Sequence, residues 1–191
     1  MKFLKHIFYL TAVPTFILLT SLTPVENNED ETIQWISWEE ASELIANEKS
    51  PKKVFVDVYT DWCGWCKVMD KKTFNHPEVA KYMNEKYYMV KFNAEQKEDI
   101  QYKGVTFKFV PSGRRGYHEL AAALLQNKLS YPSTVFLDEK MAIMSVVPGF
   151  VKAGEFYTIA KYFGDNEFKE KGWEDFQKDY KVPFDATSDT K

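Results

Sequence analysis

Cysteine is scarce in this chain: two in 191 residues, too few for a disulfide-stapled mini-scaffold or a four-thiolate zinc site. Glycine and proline are also sparse, at eight each, which excludes collagen and Pro/Gly-rich low-complexity polymers. No block of like charge dominates. The formal charge is −3 without a prominent Lys/Arg run, so no nucleic-acid partner is expected. No internal repeat is visible. The longest apolar run, Ile7 to Leu22, contains Pro14 and falls short of the roughly 20 residues a spanning helix needs. What the chain does have is 45% hydrophobic and 16% aromatic residues, enough for one ordinary domain with a real core and too many for a disordered chain.

The beginning of the chain follows a secretory layout. Lys2 and Lys5 precede the apolar run, and Pro24 with the acidic stretch Glu26 to Glu31 follows it. Residues 1–23 are expected to be a signal peptide or an uncleaved membrane tether, and 24–32 an acidic linker. Removing residues 1–23 would take away two lysines and no acid, moving the formal charge from −3 to −5. The expectation is an exported protein, periplasmic or in the cell envelope.

Export makes the cysteines informative. Cys63 and Cys66 stand in Asp61-Trp62-Cys63-Gly64-Trp65-Cys66-Lys67. A disulfide closing so short a loop stabilises by only about 2 kcal/mol, so a purely structural bridge explains little. A closed metal site would need two more soft or imidazole ligands, and the spacing of His76 and His118 supplies none. No metal and no cofactor are expected; redox use of the pair is. The flanking pattern agrees. Residues 52–59 are apolar, β-branched and aromatic, the composition of a buried central strand, with Asp57 an acid where a core residue is expected. A short turn then feeds a helix from Cys63 to about Asp70. A thiol at a helix start meets unsatisfied N–H groups that stabilise its thiolate, and Cys66 lies one turn on. Gly64 leaves the approach to Cys63 open, and Trp65 fills the remaining slot.

The run Val56 to Lys67 resembles the active-site segment of thioredoxins. It is similar in particular to the C-terminal thioredoxin domain of the bacterial thiol:disulfide interchange protein, through Tyr59-Thr60-Asp61-Trp62-Cys63 and Lys72 to Val79. A second motif, Ser130-Tyr131-Pro132-Ser133-Thr134-Val135-Phe136-Leu137-Asp138, resembles the cis-proline loop and its strand. The resemblance covers residues 33–163. It implies a thioredoxin-like three-layer α/β sandwich and a thiol:disulfide oxidoreductase, a reductase in its direction, working on protein disulfide clients and recharged by a membrane or periplasmic electron donor. Cys63 would be the nucleophile, Cys66 the resolving thiol and Asp57 the proton acceptor, with Lys91 its charged neighbour or else a snorkelling surface lysine. Trp62, Gly64, Trp65, Tyr131 and Pro132 would border the substrate, with Tyr131–Pro132 cis. Two departures stand out: Gly64-Trp65 replaces Gly-Pro, the dipeptide that helps set the reduction potential, and an insertion at about 96–127 precedes the cis-proline loop. The alternative from another class is a binding or delivery module on the same scaffold, holding a soft metal or serving an apoprotein.

The remaining pattern predicts an edge strand at 33–36 and a helix opened by the capping box Ser37-Trp38-Glu39-Glu40. Pro77 starts a further helix to about Lys86. A strand over 88–93, a helix over 95–102 and a helix over 117–126 follow. A hairpin joins 134–137 to 142–147, and a helix over 152–163 is stopped by Gly164. A charged terminal helix spans 167–180, within a C-terminal unit of 164–191 that ends in a loose tail. Tyr82, Tyr87 and Tyr88 are read as core and surface-belt residues, His76 as a residue at a helix start, His118 as packed or exposed, and Arg114-Arg115 as a solvated loop tip.

Overall fold

The strand β2 (Lys53–Tyr59) is buried at every position but its last, and the fold is arranged around it. The computed structural model describes residues 32–185; the expected signal or tether, nearly all of the expected linker and the last six residues lie outside them. In chain order, β1 (Trp35–Ile36), α1 (Trp38–Asn47), β2, α2 (Gly64–Met69), α3 (Pro77–Lys86) and β3 (Tyr87–Asn93) form the first half. Two hairpins follow, β4 (Ile100–Tyr102) with β5 (Val105–Phe107) and β6 (Phe109–Ser112) with β7 (Arg115–His118). Then come α4 (Glu119–Leu124), β8 (Ser133–Leu137), β9 (Ile143–Pro148), α5 (Ala153–Gly164) and α6 (Trp173–Asp179).

The central sheet has the order β1-β3-β2-β8-β9. β1, β3 and β2 run parallel, because helical crossovers connect them, while β8 and β9 are antiparallel neighbours. Alternation along β2 separates two cores. Phe55 faces Met69, Phe74, Val79, Met83 and Phe156, the side of α2, α3 and α5. Val54, Val56 and Val58 face Trp38 and Ala41 of α1 and Leu120 and Leu124 of α4. This is the expected three-layer α/β sandwich. Among the described residues no helix is long and apolar enough to cross a membrane.

Local signals acted where they were expected. The Ser37 hydroxyl accepts the Glu40 N–H at 3.0 Å and opens α1. Pro77 occupies the first turn of α3, after His76. Four expectations are corrected, the last of them at Gly164. No helix forms over 95–102: Asn93 Oδ1 accepts the Glu95 N–H in a turn, and Ile100 is then recruited into β4 opposite Phe107. Tertiary burial of Ile100 outweighed a weak helical pattern. The helix expected from Tyr117 begins at Glu119, because Tyr117 and His118 pair with Val110 and Phe109. The terminal helix is divided into a 3₁₀ turn (Glu167–Lys169) and α6, with Gly172 extended at the α6 N-cap. Phe176 still docks it in the core, beside Tyr162 at 5.2 Å.

Gly164 does not stop α5 through its own backbone; the left-handed residue is Asn166, at φ 63°. Gly164 is small for another reason: a Cβ there would lie 2.4 Å from the Tyr82 hydroxyl.

Gly116 in β7 is packed more tightly still. A Cβ there would meet the Phe109 ring at 2.2 Å and the Val110 carbonyl oxygen at 2.5 Å, and the second contact is backbone. Gly116→Ala is expected to cost roughly 1–3 kcal/mol, the usual range for overpacking. Urea unfolding measures it. A midpoint equal to wild type would show that β6 and β7 separate freely.

Candidate active site

Period-two alternation puts Asp57 on the same face of β2 as Phe55, the face covered by α2. The parallel register sets Lys91 of β3 directly opposite, and Thr134 of β8 on the other side. Asp57 is 1% exposed, and its Oδ1 has no hydrogen-bond partner. Oδ2 lies 3.3 Å from the Lys91 ammonium. Lys91 also bonds Asp70 and lies over the rings of Trp35 (4.9 Å) and Tyr59 (5.3 Å). It is therefore a bridge between two carboxylates, and the snorkelling surface reading is set aside. Burial pushes the Asp57 carboxyl up to about 6; the Lys91 charge opposes that rise and the Asp70 charge adds to it.

Past the end of β2, the Cys63 N–H bonds the Thr60 carbonyl at 3.1 Å and closes the turn. Cys63 is the N-cap of α2, and its sulfur accepts the Cys66 N–H at 3.1 Å. Cys63 and Cys66 are joined in a disulfide, with their Cα atoms 5.3 Å apart. Each is 4% exposed, so exposure does not distinguish them. The helix begins one residue later than expected and continues past Asp70 as a π-helical turn (Asp70–Phe74), where the Asn75 N–H reaches back five residues to Asp70.

The second loop arrives through sheet pairing. Ser133 is opposite Val58, so Tyr131-Pro132 lies beside the exit of β2, and the Tyr131–Pro132 bond is cis. The Pro132 carbonyl is used within the fold, accepting the Gly149 N–H at 2.8 Å. The Tyr131 backbone N–H and C=O have no partner among the described residues. Burial and the Glu95 carboxylate push the Tyr131 phenol up to about 12.

Trp62 joins the pieces. It is 49% exposed, meets Tyr131 edge-on at 6.0 Å, and donates its indole N–H to Glu95 at 3.0 Å. Trp65 is 62% exposed and tilts against Phe150 at 5.5 Å, so it stands at the surface and does not fill a slot. A Cβ on Gly64 would meet nothing within 4 Å, which leaves that side of Cys63 open.

The structure thus brings Asp57, Lys91, Trp62, Cys63, Gly64, Trp65, Cys66, Tyr131 and Pro132 to one end of β2. His76 stacks on Phe184 at 4.2 Å, and His118 caps α4 with Nδ1 accepting the Leu120 N–H. Neither imidazole contacts a cysteine. Asp70 was missed, although its sequence signal exists: it follows Cys66 by four residues, one helical turn on the same face. Arg115, Glu95 and Phe150 carry no such signal, because tertiary packing alone brings them here. Among the described residues no cluster of three or more His, Cys, Asp or Glu side chains is arranged to hold a metal.

The sequence model of the Thioredox_DsbH family, described as a protein of unknown function, DUF255, matches residues 21–155. Spermatogenesis-associated protein 20 from Homo sapiens is 27% identical over 86 residues, 44% of this chain and 11% of that protein. The chain thus matches about a tenth of that relative's length. Two solved structures share the fold. A thioredoxin-fold protein from Helicobacter pylori has a TM-score of 0.52 at 18% identity, covering 78% of this chain and 87% of its own. DsbH oxidoreductase has a TM-score of 0.52 at 20% identity, covering 78% and 94%.

Proposed function

This chain belongs to the DsbH-type thioredoxin family, and on that premise we propose that it is an exported thiol:disulfide oxidoreductase that reduces disulfides of protein clients. The observation that carries this reading is the Cys63–Cys66 disulfide at the start of α2, on the face of β2 that holds the buried Asp57. Export is supported by the basic, apolar, then acidic order of residues 2–31.

In the reduced protein the Cys63 thiolate attacks one sulfur of a client disulfide. A Cys63–client mixed disulfide forms, and the other client sulfur leaves as a thiolate. Cys66 then gives up its proton, with Asp57 as acceptor, and attacks the Cys63 sulfur. The Cys63–Cys66 disulfide forms and the second client sulfur leaves. Two electrons have passed from the dithiol to the client; a dithiol donor at the membrane or in the periplasm returns them. An acceptor with a carboxyl raised to about 6 is matched to neutral working pH. The unpartnered Tyr131 backbone offers one N–H and one C=O to an extended client segment, with the exposed aromatic surfaces of Trp62 and Trp65 next to the cysteines in the chain.

Insulin reduction with dithiothreitol as donor tests the activity, and equilibration in glutathione buffers tests its direction. Catalysed insulin precipitation with a reduction potential below about −220 mV is expected. A potential near about −120 mV would reverse the direction to oxidation. Absence of catalysed exchange would refute the reading.

A further inference from the structure

The insertion returns to the active site. Hairpin β6–β7 places Arg115 so that its guanidinium carbon is 3.9 Å from the centroid of the Trp62 ring, at stacking distance. Trp62 immediately precedes Cys63, and Tyr131 meets the same indole. One ring therefore links the insertion, the cysteine loop and the cis-proline loop, with Arg115 as the outer layer. The solvated-tip reading fails for this arginine: the turn is made by Gly113 and Arg114, and Arg115 is paired in β7 opposite Ser112.

Arg115 is exposed and forms no ion pair with a carboxylate among the described residues. Glu95 accepts the Trp62 indole N–H at the ring edge, while Arg115 covers the ring face. A guanidinium seated over an indole face is restricted in its motion, and its N–H fork suits a carboxylate. Asp61 and Glu95 would otherwise make this side of Cys63 unfavourable for an acidic client. Arg115 supplies the opposite charge, fixed through the residue next to the nucleophile.

We propose that Arg115 is a specificity-determining residue that engages a carboxylate beside the attacked disulfide, giving the site a preference for acidic disulfide substrates. The proposal rests on the exchange chemistry above. Its occupant is a cystine-containing peptide with Asp, Glu or a free carboxylate near the cysteine.

Stopped-flow tryptophan fluorescence of the reduced protein tests it with three disulfides of like chemistry: acidic glutathione disulfide, cationic cystamine and neutral hydroxyethyl disulfide. Rate constants are normalised to the neutral compound. The wild type should favour glutathione disulfide over cystamine at low ionic strength, and Arg115→Glu should shift that ratio about tenfold toward cystamine, the combined effect of reversing one exposed charge on two opposite ligands. Raising the salt to about 1 M, where the screening length is about 3 Å, should shrink the preference. Lys140→Glu, on the α1 side of the molecule, controls for net charge and should leave the ratio as in wild type. Equal ratios in wild type and Arg115→Glu overturn the proposal, as does an equal shift in the Lys140→Glu control. Arg115→Gln, with half the charge change and an intermediate shift, provides the readout if the Glu variant folds poorly. A wild type that exchanges with none of the three compounds overturns the oxidoreductase reading itself, an outcome distinct from an unchanged ratio.

Discussion

Cys63→Ser is expected to reduce disulfide exchange to the uncatalysed background, whereas Cys66→Ser should complete the first step and stop at a one-to-one mixed disulfide. The asymmetry comes from backbone geometry. Both residues are equally buried in the disulfide, at 4% each. Only Cys63 caps the helix, with its sulfur accepting the Cys66 N–H at 3.1 Å. That donor, together with the other unsatisfied N–H groups of the first turn, favours negative charge on Cys63 over Cys66 in the reduced protein. A serine at position 63 has no thiolate to stabilise. At position 66 it leaves the nucleophile intact and removes only the group that releases the client. Non-reducing gels with a disulfide-bonded client should show a stable covalent adduct for Cys66→Ser and none for Cys63→Ser. Substoichiometric iodoacetamide on the reduced protein should label Cys63 first. Preferential labelling of Cys66, or multiple turnover by Cys66→Ser, would exchange the two roles.

Asp57→Asn should make the protein more stable and less active at neutral pH. The folded carboxyl titrates near 6, about two units above its usual value of 3.8, because burial disfavours the charged form; Lys91 only partly offsets this, and Asp70 works with burial. An acid raised in the folded state holds its proton more tightly there than in the unfolded chain. Stability therefore falls as pH rises from about 4 to about 6, and the full cost, about 3 kcal/mol, applies above pH 6. Asparagine carries no charge to bury, so the variant escapes that cost. Relative to wild type, the oxidised Asp57→Asn protein should gain about 3 kcal/mol between pH 3.5 and pH 7.5, or roughly 10 °C in Tm for a domain of this size. Urea unfolding at the two pH values reads the gain directly. A pH-independent difference between the two proteins would mean that Asp57 is not raised. The same substitution removes the acceptor for the Cys66 proton, and resolution of the mixed disulfide at pH 7 should slow about 10²-fold, the scale of a general base. Unchanged resolution, with the stability gain intact, would leave Asp57 a buried charge without a role in proton transfer.

Asp57 shows how far the sequence reaches. Its oddity is visible in one dimension, an acid inside an apolar β-branched run, because a central strand of a sheet covered by helices on both faces is buried on both sides and tolerates few charges. Its surroundings are not visible there. Lys91 lies 34 positions away, and only the parallel register of β2 and β3 makes the two neighbours. Asp70 joins them from the C-terminal end of α2, one helical turn after Cys66, where its carboxylate bonds Lys91. The residues at 95–102 follow the same rule in reverse. Their local pattern suggested a helix, and pairing of Ile100 with Phe107 overrode it.

By itself the sequence determined the elements whose signals are local: the Ser37 cap, the Pro77 start, the apolar run of β2, and the two cysteines spaced by one turn at a helix start. Spacing, capping and alternation act within a few residues and survive any tertiary context that buries them. The tertiary structure alone decided which groups meet at the end of β2. Asp57 with Lys91 and Asp70, Trp62 with Tyr131, and Arg115 over Trp62 come from segments far apart in the chain, and sheet register and packing bring them together. The two hairpins of the insertion were decided there too, since their strands are too short to be specified by pattern and gain stability only from the pairing and burial that the fold provides.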